Sequence, residues 1–322
     1  MEKLFDLLDG AHSIGITGHV RPDGDCVGSC MALYNYILNV FPKMQMDVYL
    51  ESVPSVYGYI KHVNQIKTTT EGNESKCYDL FISLDCGDLE RLGFTGQLFS
   101  NAVRTVNIDH HISNTLFGDK NIVLSHASST CETLFGLMEE SYINKDVAEA
   151  LYTGIIHDTG VFKHSNTSSE TMRIAGRLIE KGVEFSRIID ESFYQKSYMQ
   201  NQLLGRCLTE SIMALNNTCI ISVLSDKTMQ FYGASGKDID GIIDQLRVTK
   251  GIEVAILIHE IGPQTYKVSM RSNNQVDVSR IAVTYGGGGH IRAAGCTMTG
   301  DYHDVINNII RLVDVQLREQ SK

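Results

Sequence analysis

Three short apolar runs in this chain each stop on an acid or a histidine. Ser13-Ile14-Gly15-Ile16-Thr17-Gly18 delivers His19, Leu80-Phe81-Ile82-Ser83-Leu84 delivers Asp85, and Val106-Asn107-Ile108 delivers Asp109, His110 and His111. Aspartate suits strand interiors poorly, so each run reads as a strand whose closing residue stands at the sheet edge. Further strands are expected at Met46–Glu51 and Asn121–Leu124, and between strands the pattern becomes helical. Over Gly28–Val40, for example, Met31, Leu33, Tyr34, Ile37 and Leu38 recur at helical spacing. Strands alternating with amphipathic helices predict an α/β domain on a mainly parallel sheet flanked by helices. In such a sheet ligands gather beyond the carboxyl ends of the strands, where these runs put their acids and histidines.

From about Ser128 the pattern turns helical, with helices expected over Ser128–Tyr142, Asp146–Thr159, Ser168–Lys181, Phe185–Glu191 and Tyr198–Cys207. Strand signals return at Glu210–Leu215, Cys219–Leu224, Val254–Glu260 and Tyr266–Arg271, with helices near Ile239–Thr249, Val276–Tyr285 and Asp304–Arg318. The expected layout is a first domain over 1–190, a helical linker over 191–208 and a smaller C-terminal α/β domain over 209–322, with a cleft between the two.

The charge balance narrows the partners. Lys and Arg number 28 against 38 acids, a formal net charge of −10, and no dense basic run exists. A long nucleic-acid track needs many phosphate contacts and is disfavoured; a small anion held through metal ions is compatible with that balance. Eight scattered cysteines without a CxxC pair read as free thiols of a reducing compartment. With no signal-peptide pattern and no apolar run of membrane length, a cytoplasmic protein with no membrane partner is expected, and a homodimer is left open.

The segment HVRPDGDCVGS, residues 19–29, crowds His19, Asp23 and Asp25 around a proline and a glycine. Alone it reads equally well as a helix cap and turn or as a ligand set. Asp85 and the Asp109-His110-His111 triplet shift that balance, as does Asp158, which closes the apolar run 151–156 as His157-Asp158-Thr159-Gly160. Clustered carboxylates raise one another's pKa values, so several in one crevice imply bound cations. Imidazole and carboxylate without thiolate suit Mn²⁺, with Mg²⁺ or Co²⁺ as alternatives, better than structural zinc. Cys26 and Cys86 neighbour the acids but are out of phase with them. Two such ions roughly 3.5–4 Å apart activate water for in-line attack on phosphorus, which points to phosphoester hydrolysis.

These residues resemble the DHH phosphoesterase superfamily. HVRPDGDCVGS is similar to its first motif, LDCGDLERLG to the second, IDHH to the third and GIIHDTGVF to the fourth; YGGGGHIRAAG resembles the glycine-rich signature of the DHH-associated C-terminal domain of the first type. The resemblance implies two metal ions, with His19 and Asp23 on the first, Asp25 on the second, Asp85 bridging, and His110 and Asp158 completing the second. It implies that Asp109 and His111 act beside Asp85 in catalysis, His111 meeting a substrate phosphate and Asp109 orienting its neighbours. It further implies substrates that are short nucleotides: nanoRNA, pApA or cyclic-di-AMP, and 3′-phosphoadenosine 5′-phosphate.

In the C-terminal part, Gly287, Gly288 and His290 are the resemblance's candidates for holding the phosphate or sugar end of a nucleotide, the glycine run being read as an anion nest beside a helix start. Arg271 is a further candidate for phosphate, against a plain surface arginine, and Arg292 is similarly ambiguous. Other readings remain: a family II inorganic pyrophosphatase, an exopolyphosphatase or long-strand exonuclease, or a catalytically inactive nucleotide- or RNA-binding module.

Overall fold

The computed structural model describes residues 3–73 and 75–320, with no side chain described for Gln320. The chain divides into two compact units, one ending at Gln195 and the other starting at Lys196. In the first unit the strands are β1 (Ser13–Thr17), β2 (Gln45–Tyr49), β3 (Leu80–Leu84), β4 (Thr105–Asp109) and β5 (Lys120–Val123). They form one sheet in the order β2-β1-β3-β4-β5, with every pairing parallel. The chain reverses its direction of winding between β1 and β3, and the carboxyl ends at that switch point deliver His19 and Asp85.

The helices of this unit are α1 (Leu4–Leu8), α2 (Gly24–Val40), α3 (Gly96–Ser100), α4 (Thr130–Leu137), α5 (Lys145–Asp158), α6 (Ser169–Glu180) and α7 (Phe185–Ile189). Every side chain of β3 and β4 is buried, as expected of strands covered on both faces. Helix α2 starts four residues before the expected Gly28, because Asp23 caps it. The expected helix 128–142 is shorter: α4 ends at Leu137, and a separate 3₁₀ turn follows over Glu140–Tyr142. Ser168 caps α6 through a reciprocal box with Thr171.

The close fit of α2 against α5 rests on glycine. A Cβ on Gly28 would lie 2.6 Å from the Ala150 carbonyl oxygen and 2.9 Å from the Gly154 nitrogen, so only a bare Cα lets the two helices approach.

The second unit holds α8 (Tyr198–Thr209), β6 (Ile212–Ala214), β7 (Cys219–Leu224), α9 (Asp226–Tyr232), α10 (Ile242–Arg247), β8 (Val254–Gly262), β9 (Thr265–Ser272), α11 (Val278–Thr284), β10 (Gly288–His290), β11 (Ala293–Thr299) and α12 (Tyr302–Gln320). Its mixed sheet runs β10-β11-β9-β8-β7-β6, with only β7 and β8 parallel. One apolar layer packs Val268, Met270 and Cys296 with α11 and α12; another packs Leu203 and Cys207 of α8 with Ile220, Leu246 and Leu257. Among the described residues, no helix is long and apolar enough to cross a membrane.

Candidate metal centre

Asp23 serves two purposes at once. Its Oδ1 accepts from the backbone N–H groups of Asp25 and Cys26 at 3.1 and 3.2 Å, capping α2, while Oδ2 stands 3.6 Å from His19 Nε2. The glycine between the two aspartates is required by packing: a Cβ on Gly24 would lie 2.3 Å from the His157 ring. Asp25, in the first turn of α2, is fully buried and points at the start of α4. Its oxygens accept from Thr130 N at 2.6 Å and Cys131 N at 3.0 Å, the placement that a helix N-terminus favours for an anion.

Asp85 follows β3 with φ of +55°, in the left-handed region that aspartate tolerates better than most residues. Its carboxylate faces two sides. Oδ2 is 3.4 Å from His19 Nε2; Oδ1 is 3.6 Å from His110 Nε2, 3.7 Å from His111 Nδ1 and accepts from Thr130 Oγ1 at 3.0 Å. Asp158, closing α5, brings Oδ2 to 3.0 Å from His110 Nε2.

Asp109 ends β4 with no exposed surface. Its Oδ1 accepts from His110 N at 2.8 Å and pairs with His111 Nδ1 at 2.7 Å, and Oδ2 accepts from Asn114 Nδ2 at 2.6 Å. Asn114 also donates to Asn107, which donates to Ser83, so a polar chain runs beneath the triplet.

Potential ligand atoms fall into three groups: His19, Asp23 and Asp85; Asp25, His110 and Asp158; and Asp85 with Asp109, His110 and His111. All eight side chains of the N-terminal expectation are thus brought together, and no cysteine joins any group. Of the eight cysteines, all free, seven are buried and Cys77 is exposed.

Burial and mutual charge shape the titration of the cluster. Burial and then the charges of Asp85 and Asp158 push the Asp25 carboxyl well above its ordinary value, and burial with Asp85 also raises Asp158. Burial disfavours imidazolium at His19, but hydrogen bonds with Asp23 and Asp85 outweigh it and hold the group up at about 11. At His110 burial is likewise overcome, by Asp158 and the other acids, to about 10. Burial opposes ionisation of Asp23, yet its bond with His19 brings it down to about 2. The bond to Asp109 raises His111, and His111 and Asn114 overcome burial to lower Asp109. Carboxylates packed this closely call for positive charge, and divalent cations compete with protons for the same imidazole and carboxylate atoms. The donor set therefore fits hard to borderline divalent ions.

The C-terminal candidates lie in the other unit. His290 of β10 pairs with Ala293 of β11, which pairs with Arg271 of β9, so the three share one face of the sheet with only a small residue between histidine and guanidinium. Gly288 opposes Gly295 in the next row, leaving that face open. Arg271 Nε stands 3.5 Å from Asp244. The glycine run corrects the expectation of a nest at a helix start: it follows the end of α11 and leads into a hairpin. Its glycines serve close backbone approach, since a Cβ on Gly287 would lie 2.2 Å from the Gly295 carbonyl oxygen. Arg292, exposed, donates to the carbonyls of Val276 and Asn274, so part of its guanidinium is in structural use.

Sequence reasoning missed Thr130, Gly154 and Asn114. The signal for the first was present, because Ser129-Thr130-Cys131-Glu132 has the spacing of a helix start and Ser129 caps α4. Gly154 gave no such sign; a Cβ there would sit 2.5 Å from Asp25 Oδ1 and 2.3 Å from Cys131 Sγ.

Residues 13–155 match the DHH family N-terminal domain, and residues 216–319 match the DHHA1 domain. The chain is 28% identical over 314 residues to the bifunctional oligoribonuclease and PAP phosphatase NrnA of Thermus thermophilus, covering 94% of this chain and 90% of the relative. It is 26% identical over 285 residues to the protein of the same name from Bacillus subtilis, covering 87% of each. A crystal structure of an exopolyphosphatase-related protein from Bacteroides fragilis superposes with a TM-score of 0.86 at 22% identity, over 99% of this chain and 96% of that one, a likeness of fold. The chain thus carries a DHH family N-terminal domain followed by a DHHA1 domain.

Proposed function

We propose that the chain is a two-metal phosphoesterase that hydrolyses short nucleotides: oligoribonucleotides of a few residues, pApA or cyclic-di-AMP, and 3′-phosphoadenosine 5′-phosphate. The observation that carries this reading is the double-faced carboxylate of Asp85, with His19 and Asp23 on one side and His110 on the other, beside Asp25 and Asp158. His19 and Asp23 would hold one ion, Asp25, His110 and Asp158 the other, and Asp85 both; Mn²⁺ suits this set first, then Mg²⁺ or Co²⁺. Bound there, the ions supply Lewis acidity to the phosphoryl oxygens and to the attacking water.

The chain's own residues orient the reaction. Asp109 accepts the Nδ1 proton of His111 and so fixes the orientation of the ring, from which Nε2–H of the protonated form would donate to a phosphoryl oxygen. The bond to Asp109 moves the His111 pKa upwards, in the direction that favours a protonated ring beside a phosphate. On the C-terminal sheet, Arg271 and His290 would hold the phosphate or sugar end of a nucleotide, with the bare Gly288 leaving room for it and Gly287 letting the neighbouring strand approach. The names of the curated relatives support this substrate class. We assign the activity to the cytoplasm, where free thiols stay reduced.

A substrate panel with Mn²⁺ tests the reading: pApA, cyclic-di-AMP, longer oligoribonucleotides, 3′-phosphoadenosine 5′-phosphate, polyphosphate and pyrophosphate. Short nucleotides are expected to turn over well ahead of the two inorganic substrates. Faster hydrolysis of pyrophosphate, or nucleotide binding with no metal-dependent turnover, would reject it.

A further inference from the structure

Thr130 touches two of the buried carboxylates in the cluster, Asp25 and Asp85. It has no exposed surface, its N–H donates to Asp25 Oδ2 at 2.6 Å, and its Oγ1 donates to Asp85 Oδ1 at 3.0 Å. A helix N-terminus accounts for the first contact. It does not account for the second, which needs a hydroxyl at this position. The other partners of the Asp85 carboxylate stand at 3.4–3.7 Å, so Thr130 makes its shortest contact. Because Asp85 has left-handed backbone, ordinary strand geometry does not fix where its carboxylate points.

The start of α4 is in turn anchored from behind. Ser128 donates through N and Oγ to the Glu132 carboxylate, at 3.3 and 2.5 Å, and Thr171 of α6 donates to the same oxygen at 2.7 Å. Asn166 Nδ2 donates to the carbonyls of Ser128 and Asp158, at 2.9 and 3.2 Å, tying this segment to the end of α5. A hydroxyl mounted on so constrained a segment can hold a carboxylate in place.

We propose that Thr130 is a positioning residue: its hydroxyl sets the direction of Asp85 and the separation of Asp85 from Asp25, and thereby the spacing of the two cation sites. The inference rests on the reading that the cluster holds two cations, and its test separates the two claims. Mn²⁺ binding is measured by titration with electron paramagnetic resonance of the free ion, alongside thermal melting of the metal-free protein, for wild type, Thr130→Val and Thr130→Ser. Valine keeps the N–H to Asp25 and removes only the hydroxyl. Wild type is expected to bind two Mn²⁺ per chain. Thr130→Val is expected to bind them about 10- to 100-fold more weakly at nearly unchanged melting temperature, and Thr130→Ser to recover wild-type affinity. Wild-type affinity in Thr130→Val, affinity in Thr130→Ser as weak as in Thr130→Val, or loss of affinity only in step with loss of stability would overturn the role of Thr130. Failure of wild type itself to bind Mn²⁺ would overturn the cation reading beneath it.

Discussion

The two sets of candidate residues are built in opposite ways. In the N-terminal domain, Asp25, Asp85 and Asp109 are buried, with oxygens engaged by backbone N–H groups, hydroxyls, amides or imidazoles. In the DHHA1 domain, His290 is exposed on a short hairpin of glycines and alanines, and Arg271 reaches the same sheet face across Ala293. The difference follows from electrostatics. Carboxylates withdrawn from water must be fully partnered, so their surroundings become part of the site, down to the glycines that make room for them. A surface that grips a solvated anion needs no such enclosure and is coupled only weakly to folding.

Changes at the centre of the buried cluster should have the largest effect. Asp85→Asn keeps a side chain that tolerates left-handed backbone but removes the shared charge. Loss of an outer partner of a metal ligand costs 10- to 100-fold, so this variant should fall by more than about 100-fold in kcat/KM while its circular dichroism is unchanged. Near-normal turnover would remove Asp85 from the mechanism.

A pair of glycine substitutions breaks or sharpens the contrast directly. Gly154→Ala forces a Cβ against Asp25 and Cys131 and should cost about 1–3 kcal/mol of stability, read by denaturant unfolding. The Cβ of Gly288→Ala would meet nothing within 4 Å, so the midpoint should not move, and any defect should lie in KM. Equal losses of stability in both variants would erase the distinction. His290→Ala is expected to raise KM by roughly tenfold with little change in kcat, the size of one hydrogen bond to a charged group.

The smallest effect concerns a charge in the N-terminal domain that is not among the metal-centre donors. Asp47 accepts from Lys67 at 2.6 Å, from Lys76, and from Tyr78 at 2.5 Å. Burial opposes its ionisation, but these partners bring the carboxyl from 3.8 down to about 2. A depressed carboxyl stabilises the folded state above its unfolded value, so this contribution is present above about pH 4 and fades as pH falls towards 2. After solvent screening, Asp47→Asn should cost about 1 kcal/mol at neutral pH and only a small fraction of that at about pH 2. A loss independent of pH would show that packing, and not charge, holds Asp47.

Much of the N-terminal domain was legible because its signals are local. An apolar run that ends on Asp85 or His19 declares both the strand and the sheet edge, and an acid two residues from another marks a shared cavity. Asp23 was ambiguous between cap and ligand because its two oxygens do different things. Thr130 and Gly154 were harder to read, since their importance arises only when α4 and α5 close over Asp25. The hairpin β10–β11 was misread for a related reason: GGGG carries no strand propensity, and the extended form of Gly288 and Gly289 is set by pairing with Gly295 and Ala294.

Anomalous diffraction from crystals grown with Mn²⁺ would locate the ions themselves. Two peaks are expected roughly 3.5–4 Å apart on either side of the Asp85 carboxylate, one beside His19 and Asp23 and one beside Asp25, His110 and Asp158. A single ion, or a pair that does not share Asp85, would contradict this arrangement.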